Sequence, residues 1–278
     1  MSSGGPASLY VVSTPIGNMG DFSFRAVDVL RLVDVILAED TRHTGQLLKR
    51  YEIPTRMLAY HEHNEAKATP GLVARLVAGE SMALVTDAGT PILSDPGSRL
   101  TAAAIAAGVP IVPVPGASAL LAALVASGLS VERFTFFGFL PRTGSARRAT
   151  LAELTELEHT AVLYEAPGRV GATLRDIAAA GGGDRPTAVA REMTKQFEEV
   201  RRGTVAELGA YYEETPPRGE VVIVLGGAVP GLVDEKDVRD RVRALRQQGL
   251  SAKDTAMTVA KEMGVSRRVA YQLTQERE

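Results

Sequence analysis

Short apolar runs alternate with amphipathic stretches through the first half of the chain. Leu9–Val12, Val33–Ala38, Met57–Tyr60, Met82–Val85 and Pro110–Pro115 have the length and apolar content of buried strands. Between them, apolar positions recur at helical spacing. Asp21 is placed to cap a helix from Phe22 to about Leu32, and a second helix follows Glu39–His43 to about Tyr51. Leu72–Val77 lies in a third helix, and Ser98 is placed to cap a fourth over Arg99–Ala107. Strand–helix alternation of this kind predicts a parallel α/β domain over residues 9–128. Three prolines in 110–115 predict an edge or bulged strand. Ala119–Ala126 is apolar all round, which predicts a buried helix.

After a hinge-like Gly128–Val131, a second unit begins. Strands are expected at Phe134–Leu140, Ala161–Tyr164, Thr187–Ala190, 197–204 and Val221–Leu225. Pro141–Arg148 reads as a loop, and helices are expected at Ala149–Leu157, Val170–Ala179 and 205–213. Several connections are hairpin-like, so the sheet should be mixed. These features bound a second α/β domain at 129–228, with a disordered leader over 1–8. A linker ends at 234, and the last 44 residues are helical. This tail carries 10 Lys/Arg against 7 Asp/Glu, about +3, which leaves about −5 for the remainder of a chain of net charge −2. Ala252–Met263, a Gly264-Val265-Ser266 turn and Arg267–Glu276 have the layout of a helix-turn-helix. Ser266 is its natural cap, and Arg267 and Arg268 begin its second helix. A small helical bundle used for packing or dimerisation fits the same pattern.

Composition narrows the possibilities. The near-neutral charge excludes a surface uniformly coated for nucleic acid. The absence of cysteine excludes disulfides, thiol nucleophiles and thiolate metal sites. No apolar run reaches 18 residues, so no membrane span is expected and a cytoplasmic location is. There is no tryptophan to build a large stacking platform.

The candidate chemistry centres on residues 82–97. An apolar strand runs into Thr86-Asp87-Ala88-Gly89-Thr90-Pro91, then Ser94-Asp95-Pro96-Gly97. A loop at the carboxyl end of a parallel strand is where open α/β sheets bind ligands. Asp87-Ala88-Gly89 has so little bulk that backbone groups can meet a small molecule directly. A tight strand-to-helix connection explains the same residues. Pro115-Gly116-Ala117-Ser118 opens a helix with free N–H groups for a ligand. His61 and His63 have the i, i+2 spacing of metal ligands without an evident third, so no metal is expected. Arg142, Arg147 and Arg148 form a local basic cluster, either a solvated loop or a phosphate contact.

Taken in order, several motifs become specific together. They are Ser13-Thr14-Pro15-Ile16-Gly17-Asn18, Ala38-Glu39-Asp40-Thr41-Arg42, His63-Asn64-Glu65, the two halves of the central loop, and Pro115-Gly116-Ala117-Ser118. Gly138-Phe139-Leu140-Pro141, Tyr164-Glu165, Ala190-Arg191-Glu192-Met193-Thr194-Lys195 and Gly219-Glu220 continue the series. The set closely resembles the ribosomal RNA small subunit methyltransferase I family, within the tetrapyrrole methylase superfamily, over residues 9–227. The resemblance implies two α/β domains with S-adenosylmethionine in the cleft between them, and a homodimer. It implies 2′-O-methylation of a decoding-region cytidine ribose in 16S rRNA, the substrate being either naked RNA or the small ribosomal subunit. It implies cofactor contacts from Ile16, Asp87, Ala88, Gly89, Thr90, Leu93, Ser118 and Ala119, and from Tyr164, Glu165, Glu192, Met193 and Glu220 across the cleft. Gly168 departs from the pattern, which carries His before the Arg. Thr90 stands where relatives that methylate tetrapyrroles carry Asp, which favours the RNA branch.

A ribose hydroxyl is a weak nucleophile at neutral pH, so a carboxylate or a lysine of lowered pKa is expected to take its proton. Asp40, Asp95 and Lys195 stand beside strand-end loops and are the candidates. Arg42, Arg142, Arg147, Arg148, Arg267 and Arg268 are the candidate RNA contacts. The competing functions are C-methylation of a tetrapyrrole and a non-enzymatic, nucleic-acid-binding regulator.

Overall fold

The computed structural model describes residues 7–228, 235–263 and 267–275. Its first sheet contains β1 (Leu9–Val12), β2 (Val35–Ala38), β3 (Met57–Ala59), β4 (Met82–Val85) and β5 (Ile111–Val114). All are parallel, in the order β3-β2-β4-β1-β5. β2 and β4 are buried along their whole length, which is why they read as unbroken apolar runs. The proline-bearing β5 sits at the edge, where a missing N–H costs least. One face is covered by α1 (Phe24–Leu32) and α2 (Thr41–Arg50), with Leu30, Leu47 and Leu48 packed on Ile36 and Val85. The other is covered by α3 (Glu65–Val77) and α4 (Ser98–Ala106), with Leu72, Leu76 and Leu100 packed on Leu37 and Leu84.

α5 (Ala119–Ser127) follows β5 in sequence but packs elsewhere. Leu120, Ala123 and Leu124 lie on Val162, Ala188 and Val224 of the second sheet. Ile16, from the loop after β1, joins the same cluster. The second sheet contains β6 (Phe134–Phe139), β7 (Thr160–Glu165), β8 (Pro186–Arg191), β9 (Glu199–Thr204) and β10 (Val221–Leu225), in the order β6-β7-β10-β8-β9. β6 and β7 are parallel and the other neighbours antiparallel, so the sheet is mixed. Its far face packs on α6 (Gly144–Glu156), α7 (Val170–Ile177) and α8 (Val205–Glu214). In the tail, α9 (Glu235–Gln247), α10 (Ala252–Met263) and α11 (Arg267–Gln275) share a core of Val238, Val242, Leu245, Val259 and Leu273. No helix among the described residues is long and apolar enough to cross a membrane.

Several local expectations are corrected. Ser23, not Asp21, caps α1, because Met19–Asp21 is spent in a 3₁₀ turn. The strand expected from Val33 starts at Val35. α4 is preceded by Gly97, and Ser98 is already helical. Pro141–Arg148 is not a loop throughout, since α6 begins at Gly144. α5 is not buried all round: Leu121 and Val125 are 51% and 75% exposed on its outer side. Ser8 of the expected leader is buried, and its carbonyl accepts from the Met82 N–H. Residues 1–6, 229–234 and Ser266 lie outside the described residues, as do the side chains of Arg267 and Arg268.

Arg185 is a buried tie in the second half. Its Nε donates to the Gly226 carbonyl at 2.8 Å and its Nη1 to that of Leu154 at 2.6 Å. Arg185→Met leaves these carbonyls without their donors. The expected loss is about 3 kcal/mol in urea unfolding, and a loss under about 1 kcal/mol contradicts the assignment.

Candidate functional site

The strand order places the loops after β1, β2, β4 and β5 side by side at the carboxyl end of the first sheet. Two of these loops are locked together. Thr14 N–H donates to the Gly89 carbonyl at 2.9 Å, and Gly89 N–H donates back at 3.1 Å. Gly89 has φ +87°, a conformation most side chains disfavour. The Thr14 hydroxyl also donates to the Thr86 carbonyl at 3.1 Å. Thr90 donates to the Ala117 carbonyl at 3.2 Å, so its contact with Ser13, at 3.0 Å, is donated by the serine. The central loop is thereby stitched to both neighbours. Ile92 and Ser94 within it have φ of +79° and +70°, strain that the surrounding stitching must hold.

This floor faces the second sheet across a cavity of about 450 Å³. Ile16, Asp87, Ala88, Gly89, Thr90 and Leu93 line it from the first half, and Ser118 and Ala119 from the start of α5. Ser118 caps α5 with its side-chain oxygen. Tyr164, Glu165 and Glu220 line the opposite wall. The Tyr164 ring is held edge-on between Phe136 and Phe139, at centroid separations of 4.9 and 5.6 Å. Glu165 is buried. Its carboxylate accepts from the Ala166 N–H at 2.8 Å and the Thr173 hydroxyl at 2.7 Å, with Arg169 at 3.4 Å.

Two expected lining residues stand elsewhere. Met193 is buried against the apolar cluster under α5, and Glu192 turns toward Lys195. Sequence reasoning missed Glu39, Thr86, Ser94, Phe139, Ala166, Pro167, Val221 and Val222, which also line the cavity. Glu39 was legible in principle. Asp40 directly precedes α2 and is its N-cap, accepting from Arg42 N–H at 2.8 Å, so the cavity-facing carboxylate had to be its neighbour.

The three candidate proton acceptors separate on these grounds. Asp40 is bridged by Arg42 at 2.6 Å, and the hydrogen bonds from Arg42 hold its carboxyl well below the usual range. It is not on the cavity wall. Lys195 is not lowered as expected. Burial works toward lowering it, but Glu192 at 2.8 Å and Glu220 at 3.3 Å outweigh burial and raise it. Its stem lies across Gly17, where a Cβ would come within 2.3 Å of Lys195 Cγ. It clasps the two halves and is held as a cation. Asp95 lies on the cavity wall, and burial followed by repulsion from Glu39 pushes it up to about 6. Thr86 donates to Glu39 at 2.8 Å and sits beside Asp95 too. Asp87 is also raised, first by burial, while it accepts from the Asp40 N–H at 3.1 Å. Glu39, Asp87 and Asp95 thus crowd one wall of the cavity with carboxyl groups, an arrangement that suits a cationic ligand.

The candidate RNA contacts also divide. Arg42 is exposed but engaged by Asp40, and Arg142 and Arg148 are exposed. Arg147 is corrected. Its side chain is only 11% exposed and holds Asp176 at 2.6 Å, so it ties α6 to α7. His61 and His63 lie edge to face, 6.0 Å apart. No group of three metal-ligating side chains occurs among the described residues.

Comparison with known proteins places this geometry. Residues 8–209 match the model of the Tetrapyrrole (Corrin/Porphyrin) Methylases. A Synechocystis protein named ribosomal RNA small subunit methyltransferase I is 46% identical over 97% of this chain and 98% of its own length. The proteins of that name from Xylella fastidiosa and Streptococcus pyogenes serotype M1 are 46% and 42% identical over 96% and 95% of this chain, and over 98% and 93% of their own lengths. Among solved structures, a cobalt precorrin-4 methyltransferase matches with TM-score 0.61 at 20% identity, over 79% of this chain and 94% of its own. A uroporphyrin-III C-methyltransferase from Thermus thermophilus, complexed with S-adenosylhomocysteine, matches with TM-score 0.56 at 18% identity, over 80% and 99%.

Carboxyl-selective NMR should find one aspartate, Asp95, titrating near pH 6, and Glu39→Gln should lower its midpoint by removing an adjacent anion. The linked effect on stability has a defined sign. An acid raised from 3.8 to about 6 binds its proton more tightly when folded, so its contribution to stability falls as pH climbs through that window. A midpoint near 4 contradicts the burial of this carboxyl.

Proposed function

The chain belongs to the tetrapyrrole (corrin/porphyrin) methylase family and, within it, to the ribosomal RNA small subunit methyltransferase I group. From this we propose that it transfers a methyl group from S-adenosylmethionine to the ribose 2′-oxygen of a decoding-region cytidine in 16S rRNA. The observation that carries the reading is the cleft itself. A cavity large enough for a nucleoside cofactor is floored by a small-residue loop, with the Glu39, Asp87 and Asp95 carboxyls on its first-half wall. When bound, S-adenosylmethionine supplies an electrophilic methyl group on a cationic sulfonium. Glu39, Asp87 and Asp95 favour that cation, and Gly89 and Ala88 let it approach the backbone. Leu93, Val222 and Tyr164 offer apolar surface to the remainder of the cofactor.

Asp95 is the proposed proton acceptor. Its carboxyl is the one raised candidate on the cavity wall, so it is charged at neutral pH yet more basic than an ordinary aspartate. Glu39 and Thr86 position it. Lys195, held by Glu192 and Glu220, keeps the two halves apposed so that donor and acceptor oxygen are aligned. The assembled small ribosomal subunit is the proposed substrate, and a homodimer the proposed working form.

Supplied with labelled S-adenosylmethionine, the protein should label rRNA in small subunits from cells lacking the modification. Label entering a uroporphyrinogen-type substrate instead overturns the reading. Gly89→Trp should abolish S-adenosylhomocysteine binding in calorimetry while the far-ultraviolet dichroism is retained. Leu93→Arg, at a position exposed enough to spare the fold, should weaken binding at least tenfold. Unchanged affinity in both removes the cofactor from this cleft. The kcat/KM for S-adenosylmethionine should fall as pH drops through about 6, where Asp95 of the free protein takes up its proton. Asp95→Asn should lower kcat about 10²-fold or more and flatten that limb. An unchanged profile assigns the proton transfer elsewhere.

A further inference from the structure

Beside the donor cleft lies a second cavity of about 210 Å³, less than half the size of the first. Ile16, Asp87, Ala88 and Glu220 line both, so a single layer of residues separates them. The remaining walls have a distinct chemistry. Pro15, Met19 and Leu47 are apolar, His43 and Gln46 present polar groups from α2, and Lys195 lies across Gly17 at one side, paired with Glu192 and Glu220. His43 and Gln46 are both exposed, neither side chain hydrogen-bonds another described residue, and His43 lies beside the Asp87 carboxyl. The mechanism above uses neither residue, so the site has recognition capacity to spare.

The charge around the cavity points to one ligand class. On α2, His43, Gln46 and Arg50 follow i, i+3, i+7 spacing and share a face, with Lys49 adjacent. Lys49 and Arg50 are exposed and pair with no carboxylate among the described residues. Thus a partly open pocket with apolar patches, the Gln46 amide, the His43 ring, the Asp87 and Glu220 carboxylates and the Glu220-paired Lys195 gives onto two free cations one helical turn away. That combination suits a planar base attached to a phosphate backbone. A neutral metabolite would leave the cations unused, and a tetrapyrrole exceeds the space.

We propose that this second cavity receives the base of the nucleotide whose ribose is methylated, turned out of its stack. The proposal rests on the rRNA ribose methylation reading above. A base taken out of a stack is read along its pairing edge between apolar walls. Here the Asp87 carboxylate accepts from an exocyclic amine, and the Gln46 amide donates to the adjacent ring nitrogen. Asp87 has lone pairs left after accepting from the Asp40 N–H. Cytosine presents that donor–acceptor order. Uracil turns a carbonyl toward the carboxylate and is disfavoured. A purine presents a similar edge but needs more room. Lys49 and Arg50 hold the neighbouring phosphates. The shared wall then sets the ribose at the mouth of the donor cleft, on the side where Asp87 links the two cavities.

The test uses the full chain saturated with S-adenosylhomocysteine and labelled at the methionine methyls, with the Met19 signal assigned by Met19→Leu. Cytidine 5′-monophosphate should shift the Met19 signal saturably. Uridine and adenosine monophosphates should bind at least tenfold more weakly. In steady-state assays on small subunits, Gln46→Ala should raise KM for the subunit at least fivefold, with kcat and cofactor affinity within twofold of the parent. Absence of a Met19 shift, equal shifts from all three nucleotides, or an unchanged KM in Gln46→Ala overturns the proposal. If the parent methylates rRNA while these results are negative, only the base site fails. If the parent transfers no methyl group to rRNA, the underlying reading fails instead.

Discussion

The site depends on the paired hydrogen bonds between Thr14 and Gly89. They fasten the loop after β1 to the loop after β4, two adjacent strands at the centre of the first sheet. Every group on the cavity floor lies within a few residues of one of these partners. The bridge requires the left-handed conformation at Gly89, and the lack of a side chain there opens the floor to a ligand. One residue thus serves the loop geometry and the binding surface together. α5 supplies the second constraint. Entered from β5 but packed on β7, β8 and β10, it makes the second sheet part of the same hydrophobic body as Ile16. The cleft is therefore fixed between two packed layers, with Lys195 laid across Gly17 as a polar clasp at its side.

Electrostatics assigns different tasks to chemically similar groups. Asp40 and Asp95 are both aspartates beside strand ends. One is exposed, bridged by Arg42 and spent on capping a helix. The other is half-buried next to Glu39 and lifted toward neutrality. Burial and neighbouring charge, not residue type, separate a structural carboxylate from one able to accept a proton near pH 7. The same cluster of carboxyl groups suits a sulfonium ligand, whose positive charge would in turn favour ionisation of Asp95.

Much of this architecture was legible in the sequence for a physical reason. Parallel strands covered on both faces must be apolar throughout, so β2 and β4 announced themselves, and the prolines placed β5 at an edge. The mixed second sheet followed from its short connections. The central loop, Ile16, Ser118 and Tyr164 were identified by motif and stand together around one cavity. What escaped were properties set by three-dimensional partners. The ion pair that buries Arg147 spans 29 residues of sequence. The raised pKa of Lys195 depends on Glu220, distant in sequence, as well as on its local neighbour Glu192. The exposed Leu121 and Val125 on α5 could not be told from its buried side, since an all-apolar helix carries no pattern of orientation.

The central claim is that the acceptor is a ribose oxygen, deprotonated beside a wall of carboxyl groups. The most direct measurement is the position of the transferred methyl group. rRNA from subunits treated with the protein would be digested by nuclease and by alkali, and the modified nucleoside identified by mass spectrometry. The account predicts one alkali-resistant dinucleotide containing 2′-O-methylcytidine. A methyl group found on the base, with the ribose unmodified and every linkage cleaved by alkali, would contradict it.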